Sequence, residues 1–253
     1  MRPGNIAIIG GTGFSTLPPE IYAEEVSVET TAGTVSLLSV SNNYVEPYKL
    51  YFLPRHGRHH RLAPHQIDYR ANVLALQKAG VAYAFATNAV GSLRRDLPPG
   101  TLIVLDDFID FTRARPLTLF TRDGPWEHVD FTEPYSTFLR ERIIAAASRM
   151  GVPVLTSGIY LCCDGPRYET PAEVRLFARM GADVVGMTGL PEAVLAREAG
   201  IAYAALAIVT NLAAGLSPAP VSHDTVTAVM QQQAPVVREL LICAAEETAS
   251  YFS

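Results

Sequence analysis

The sequence has little cysteine and no long apolar run. Only three cysteines occur among 253 residues, and two of them, Cys162 and Cys163, are neighbours. Such a set does not form a disulfide framework, so the composition indicates a reducing compartment, and we expect a cytoplasmic protein. No stretch reaches the ~18 uninterrupted apolar residues of a membrane span, and the N-terminal apolar run is too short for a signal peptide.

Positive charge is also scarce. The chain has 20 Lys and Arg against 25 Asp and Glu, which gives a net charge of −5. An acidic protein has no general field that attracts a polyanion, so we expect no nucleic-acid partner. Any anionic small molecule must therefore be met by a local cluster of positive groups. At 49% hydrophobic residues, the chain can still bury a large core.

Strand-like and helix-like segments alternate along the chain, with no internal repeat. Apolar runs predict strands at 5–10, 34–41, 48–54, 82–87, 101–105, 152–161, 184–187 and 202–209. Periodicity and capping residues predict helices at 64–80, 133–150, 170–180, 191–199 and 223–249, with a long loop at 113–128. The pattern predicts a single α/β domain, residues 1–253, whose helices flank a mixed, twisted sheet.

A glycine turn follows the first predicted strand. Residues 10–15 read GGTGFS, and glycines allow backbone N–H groups to converge on an anion, joined by the hydroxyl of Thr12. The spacing fits neither the dinucleotide fingerprint GxGxxG nor a phosphate-binding loop that ends in GK[ST]. An ordinary tight turn remains the alternative.

Three arginines and three histidines fall within residues 54–61, PRHGRHHR. An oxyanion site is favoured, because the planar fork of arginine fits phosphate oxygens. A metal site formed by His56, His59 and His60 is disfavoured by the neighbouring cations and by the lack of a carboxylate in the run. A solvated basic loop is the third interpretation.

Two further stretches follow predicted strands and could supply anion donors. Residues 87–93, TNAVGSL, predict a turn at Asn88 and Ala89 whose N–H groups point out of the sheet edge. In GMTGLPEA, residues 186–193, Thr188 either caps the next helix or donates its hydroxyl to phosphate.

The remaining two stretches suit a flat heterocycle. In CDGPRYETPAE, residues 163–173, Tyr168 offers a face for stacking, and Glu169 can accept a hydrogen bond from a ring N–H. Alternatively, Glu169 only favours the dipole of the following helix. In VTNLAAG, residues 209–215, Asn211 can donate and accept at a purine edge, or simply form a turn.

Taken in this order, the motifs GGTG, RHGRxH, NAVGSL, GPRYET and GMTGLPEA, followed by TN after a strand, resemble the trimeric purine nucleoside phosphorylases. That family includes methylthioadenosine, methylthioinosine and inosine/guanosine phosphorylases, and the resemblance runs from about Ile6 to His223. It implies the nucleoside phosphorylase fold, phosphate as co-substrate, no cofactor, no metal, and a homotrimer or dimer of trimers. A non-catalytic nucleotide-binding module is the alternative from another class.

The resemblance also implies a role for each matched position. Phosphate would be bound by Thr12, Arg55, His56, Asn88, Ala89 and Thr188. The nucleoside would contact Tyr168, Glu169, Met187, Asn211, Leu212, Ala213 and His223, together with His128 from a neighbouring subunit. Catalysis would depend on Asn211, Glu169 and His56.

Two positions favour particular members of that family. Adenine-preferring members carry Asp in place of Asn211 and Ser in place of Glu169, so a 6-oxopurine such as hypoxanthine or guanine is expected here. His223 resembles the residue that bonds the 5′-hydroxyl in inosine/guanosine enzymes, or it is merely exposed near a helix start. The sequences TGLPEA and NLAAG are more similar to those of the methylthioinosine enzymes, which remain the alternative. Methylthioadenosine phosphorylase is a less favoured alternative.

Overall fold

A computed structural model describes residues 2–14, 17–18, 20–40, 45–121 and 123–252. The strands in this part are β1 (Asn5–Gly10), β2 (Ala23–Thr30), β3 (Gly33–Val40), β4 (Leu50–Pro54), β5 (Val81–Ser92), β6 (Leu102–Val104), β7 (Asp107–Asp110), β8 (Ile159–Cys162), β9 (Val184–Gly186) and β10 (Ala202–Leu212). The helices are α1 (Tyr69–Lys78), α2 (Thr137–Met150), α3 (Pro171–Arg179), α4 (Glu192–Glu198) and α5 (His223–Ser250).

The ten strands form one mixed sheet. Its order is β2-β3-β4-β1-β5-β9-β8-β7, and β10 pairs with both β5 and β6. β1 is parallel to β4 and β5, whereas β2, β3 and β4 pair in antiparallel fashion. The predicted α/β class with a mixed sheet flanked by helices is thus confirmed.

Alternate residues of the central strands face two separate cores. In β1, Ile6 and Ile8 belong to a cluster that contains buried side chains of α2 and α5. Ala7 and Ile9 belong to the other cluster, which contains those of α1 and α4. Because both faces are covered by helices, these strands read as continuous apolar runs in the sequence.

Two helices start later than predicted, because a capping side chain sets their first turn. The backbone N–H of Ala71 donates to Asp68 Oδ1 at 2.9 Å, so α1 begins at Tyr69, and Pro64–Gln66 forms a separate 3₁₀ turn. Ser136 caps α2 in the same way. The predicted starts at 64 and 133 were therefore wrong, whereas the predicted cap and first turn of α3 are confirmed.

The strand predictions failed where pairing is short, exposed or decided by distant segments. The predicted strand 152–161 is reduced to β8, since its first half makes only an isolated bridge between Leu155 and Ile103. Strands β2 and β7 were not predicted. Ser15, at the end of the glycine motif, and 41–44, in a predicted strand end and loop, lie outside the described residues.

β5 also runs further than predicted. Its pairing with β1 ends at Ala86, but its pairing with β10 continues to Ser92. Asn88 and Ala89 therefore lie within a strand, and the turn predicted for them was wrong. Their sequence is compatible with a turn, and only the neighbouring strand keeps them extended.

None of the helices in the described ranges has the length and hydropathy needed to cross a membrane.

The N-terminus of α3 yields a stability prediction. Thr170 Oγ1 accepts from the N–H of Glu173 at 3.2 Å, and the Glu173 carboxylate accepts from the N–H of Thr170 at 2.8 Å. Thr170→Ala removes half of this capping box and should lower the free energy of unfolding by about 1 kcal/mol in urea denaturation. Ser148→Ala, an exposed change within α2, is the control, and equal effects of the two variants would contradict the prediction.

Candidate functional site

A cavity of about 410 Å³ opens where the carboxyl ends of β1, β4, β9 and β10 meet the second half of β5 and the start of α5. Eleven of the predicted site residues line it: Thr12, Arg55, His56, Ala89, Tyr168, Glu169, Met187, Thr188, Asn211, Ala213 and His223. The six sequence stretches therefore converge on one place. Carboxyl edges of sheets commonly hold ligands in α/β proteins.

Three predicted residues do not line this cavity. Asn88 lies behind it, and its Nδ2 donates to Thr188 Oγ1 at 3.2 Å. The carbonyl of Leu212 accepts from Asn211 Nδ2 at 2.9 Å, so its contribution is to hold that amide. His128 is exposed, and its ring packs against Trp126 with 5.1 Å between centroids.

A buried ion pair holds Arg55, the residue that follows β4. Its Nε donates to Glu192 Oε2 at 2.7 Å and its Nη2 donates to Oε1 at 2.6 Å. The two side chains are 0% and 1% exposed. Tyr203 adds a hydrogen bond from its hydroxyl to Oε1 at 2.8 Å, so the carboxylate is fully engaged.

Backbone groups orient the rest of the Arg55 guanidinium. Nη1 donates to the carbonyl of Thr87 at 2.8 Å, and a Cβ at position 11 would come within 2.7 Å of Nη1, so Gly11 leaves room for it. Three of the five N–H groups of the guanidinium are thus used, and two remain. Burial alone would lower the pKa of Arg55, but the Glu192 carboxylate outweighs burial and raises it, which keeps Arg55 charged.

His56 is buried next to this pair and is held in one orientation. Its Nδ1 lies 2.8 Å from the carbonyl of Leu62. Burial, the neighbouring His60 and Arg55 lower the pKa of His56 to about 3, against the hydrogen bond to Leu62, which raises it. His56 is therefore neutral at physiological pH.

Thr188 belongs to a turn that a buried tyrosine fixes. The hydroxyl of Tyr160 accepts from the N–H groups of Thr188 and Gly189 at 3.2 and 3.1 Å. α4 begins at Glu192 with Pro191 as its N-cap, so the N-cap role considered for Thr188 was wrong. Thr188 instead lines the cavity, and its hydroxyl accepts a hydrogen bond from Asn88 Nδ2.

Glu169 lines the cavity and carries one unpaired carboxylate oxygen. Its Oε1 is buried without a hydrogen-bond partner among the described residues. Capping of α3 is done by Glu173, which also forms a bidentate pair with Arg167, so Glu169 is not needed for the helix. Burial, and secondarily the charge of Glu173, raise the pKa of Glu169.

The amide of Asn211 is oriented by its neighbours. Its Nδ2 donates to the Leu212 carbonyl, which fixes which end of the amide is nitrogen, and its Oδ1 accepts from Thr210 Oγ1 at 2.9 Å. One N–H of the amide remains free for a ligand. The pairing of β10 with β5 shifts register between Val209 and Asn211, which marks a bulge just before this residue.

The histidine-rich run bends sharply around the cavity mouth. His59 and His60 both have left-handed backbone, with φ of 59° and 53°. His60 lines the cavity, and its ring lies tilted against that of His56 with 4.0 Å between centroids, whereas His59 is exposed and lies outside the lining. Within the described residues, no group of three metal-ligating side chains is present.

Sequence reasoning missed the residues that support the site from behind. Glu192, Tyr203 and Tyr160 were not singled out, although Glu192 stands in the GLPEA motif. The helix EAVLARE also carries Arg197 and Glu198, so nothing local marks Glu192 as the buried charge. Its partner is 137 residues away, so no spacing rule could have joined them.

Comparison with known proteins gives a consistent result. Residues 5–245 match the family described as the Phosphorylase superfamily. A 6-oxopurine nucleoside phosphorylase from Pyrococcus furiosus is 44% identical, with 94% of this chain and 91% of that protein aligned. A Methanopyrus kandleri protein named "Probable S-methyl-5′-thioinosine phosphorylase" is 43% identical, covering 93% of this chain and 90% of that protein.

Solved structures agree with the sequence relatives. Methylthioadenosine phosphorylase from Schistosoma mansoni, in complex with adenine, superposes with a TM-score of 0.89. The two sequences are 32% identical, and the alignment covers 97% of this chain and 92% of that one. The predicted nucleoside phosphorylase fold is thereby confirmed, and the chain belongs to the phosphorylase superfamily, among its nucleoside phosphorylases.

Proposed function

We propose that this enzyme uses phosphate to cleave the N-glycosidic bond of 6-oxopurine nucleosides, releasing the free base and ribose 1-phosphate. The observation that carries the proposal is that Glu169, whose Oε1 is buried without a hydrogen-bond partner among the described residues, lines the same cavity as Arg55, His56 and Thr188. One end of the cavity thus suits a small oxyanion, and the other suits a heterocycle that bears an N–H. A nucleoside spans the two ends.

At the oxyanion end, several donors surround the proposed phosphate. Arg55, Thr12 and Thr188 all line the cavity, and each has N–H or hydroxyl groups of the kind that donate to an oxyanion. Phosphate held beneath the sugar would stabilise positive charge on the ribosyl ring and then attack its anomeric carbon. The rate enhancement would come from fixed position and fixed charge.

At the base end, Glu169 and Asn211 would read the purine. A carboxylate can accept from N1–H, which exists in 6-oxopurines and not in adenine. The free N–H of Asn211 would donate to N7, where negative charge collects as the base leaves. Selectivity follows, because adenine would leave the buried Glu169 oxygen without its partner. The name of the Pyrococcus furiosus relative supports this reading.

The 5′ end of the sugar has two candidate partners. His223 lines the cavity at the first turn of α5 and can bond a 5′-hydroxyl, as in inosine or guanosine. The Methanopyrus kandleri relative carries the name of a methylthioinosine enzyme, and this keeps a 5′-methylthio group as the second candidate. We favour the hydroxyl because an imidazole offers it both a donor and an acceptor.

The quaternary structure and location are part of the same proposal. His128 is exposed and outside the cavity of its own protomer, which fits a residue that completes the cavity of a neighbouring copy. We propose a homotrimer or dimer of trimers of a single-domain chain, cytoplasmic and without a cofactor. A monomeric mass by sedimentation at micromolar concentration would contradict it.

The function is tested by following base release from a panel of nucleosides with and without phosphate. The panel contains inosine, guanosine, adenosine, methylthioinosine and methylthioadenosine. We expect phosphate-dependent release of hypoxanthine and guanine, and little release of adenine. No phosphate-dependent release from any nucleoside would favour a non-catalytic nucleotide-binding module.

Asn211→Ala should lower turnover of inosine by about 10²–10³-fold, because it removes a donor aimed at developing charge. Steady-state kinetics at saturating phosphate measures the effect. Gln232→Ala, an exposed amide change in α5, is the matched control and should leave turnover unchanged. Near wild-type turnover by Asn211→Ala would refute the leaving-group role.

Glu192→Gln should lower the free energy of unfolding by about 3–5 kcal/mol, because Arg55 is left buried without an opposing charge. Phosphate should then raise the melting temperature of this variant more than that of the wild type, since the anion supplies the missing charge. Glu141→Gln, on an exposed face of α2, is the control. An effect no larger than that of Glu141→Gln would speak against the role of the ion pair.

His223→Ala should reduce kcat/KM for inosine about tenfold while leaving methylthioinosine almost unaffected, because only the hydroxyl substrate loses a hydrogen bond. The comparison within one variant controls for its folding. Equal losses on both nucleosides would mean that His223 does not read the 5′ group.

A further inference from the structure

The hydrogen bond between His56 and Leu62 fixes the position of a proton. A carbonyl oxygen can only accept, so the imidazole Nδ1, 2.8 Å from the Leu62 oxygen, must carry the hydrogen. His56 is 4% exposed, and its ring packs at a tilt against that of His60, which limits its freedom to turn. The tautomer is therefore decided by the fold and not by the ligand.

The surroundings of His56 oppose a second proton on its ring. The charged form would be buried, next to the guanidinium of Arg55 and the ring of His60, and no carboxylate in the described part of the chain pairs with it. Of the other titratable groups that line the cavity, Arg61 and His223 are also basic, and Glu169 belongs to the base end. With Nδ1 protonated and the ring neutral, Nε2 carries a lone pair.

We propose that His56 recognises phosphate through its proton: Nε2 accepts a hydrogen bond from a P–OH group, so that the site selects a protonated tetrahedral oxyanion over one that has no proton. The inference rests on the proposed function in one respect, the presence of phosphate in this cavity. Hydrogen phosphate carries an O–H group at neutral pH, whereas sulfate, of the same shape and charge, does not.

The other groups at this end of the cavity do not make that distinction. Hydroxyls such as those of Thr12 and Thr188 can donate to any oxyanion. Arg55 also donates to any oxyanion, and Glu192 already balances its charge, so charge alone does not determine affinity there. His60 has a buried Nδ1 without a partner among the described residues, and it lies beside His56 rather than replacing it. Discrimination by proton thus depends on His56.

A series of four anions tests the proposal on the unmodified protein. Isothermal titration at neutral pH and constant ionic strength would compare phosphate and arsenate, which carry an O–H group, with sulfate and monofluorophosphate, which do not. We expect the first pair to bind about 10–100-fold more tightly, because an unprotonated oxyanion leaves Nε2 facing a second acceptor. Equal affinities across the series would overturn the proposal.

A variant assigns the discrimination to its residue. His56→Gln replaces the lone pair with an amide that can turn to donate, so the preference for phosphate over sulfate should fall to within about threefold. His59→Asn, an exposed histidine of the same run in left-handed backbone, is the matched control and should keep the preference. Persistence of the preference in His56→Gln would mean that another group reads the proton.

A spectroscopic measurement gives a check that needs no variant. Nitrogen-15 NMR of the histidine side chains should show His56 with a protonated Nδ1 and an unprotonated Nε2 between about pH 6 and 8. A protonated Nε2 would overturn the proposal. Because these binding and NMR measurements use no nucleoside, an enzyme that shows the anion preference but cleaves no purine nucleoside would refute the proposed function and leave this inference standing.

Discussion

The ion pair between Arg55 and Glu192 is the constraint on which the site depends. It joins the end of β4 to the first turn of α4, and both charged groups are withdrawn from water. Such a pair is a poor source of net stability, because desolvation offsets most of the attraction. Its role here is to fix the plane of the guanidinium. The carbonyl of Thr87 accepts a further hydrogen bond from it, and Gly11 leaves space for it because it has no side chain.

Much of the fold could be predicted from local pattern. β1 was predicted with its observed bounds, and the capping box of Thr170 and Glu173 predicted the start of α3, because both signals are complete within a few residues. The failures were of a different kind. β2 carries several charged residues along a partly exposed strand, and the stretch that contains Asn88 stays extended only because β10 lies beside it. These outcomes are decided by partners remote in sequence.

The same division applies to the site. Motifs rich in polar and charged residues, such as those around Arg55 and Asn211, indicated eleven of the residues that line the cavity. What they could not give was the state of each group. Contacts between packed segments decide these states. Glu192 occupies part of the Arg55 guanidinium, Glu173 caps α3 in place of Glu169, and the Leu62 carbonyl sets the tautomer of His56.

The pairing of β5 with β10 has a consequence for how this protein can diverge. Asn211 lies opposite Gly91 just after a bulge, while Ala89, two residues earlier in β5, lines the cavity where we propose that phosphate binds. The long ladder between β5 and β10, which is interrupted at this bulge, holds both positions in one segment of the sheet. If Asn211 reads the base as proposed, a substitution at this one position would change the preferred heterocycle and leave the residues of the proposed phosphate end in place.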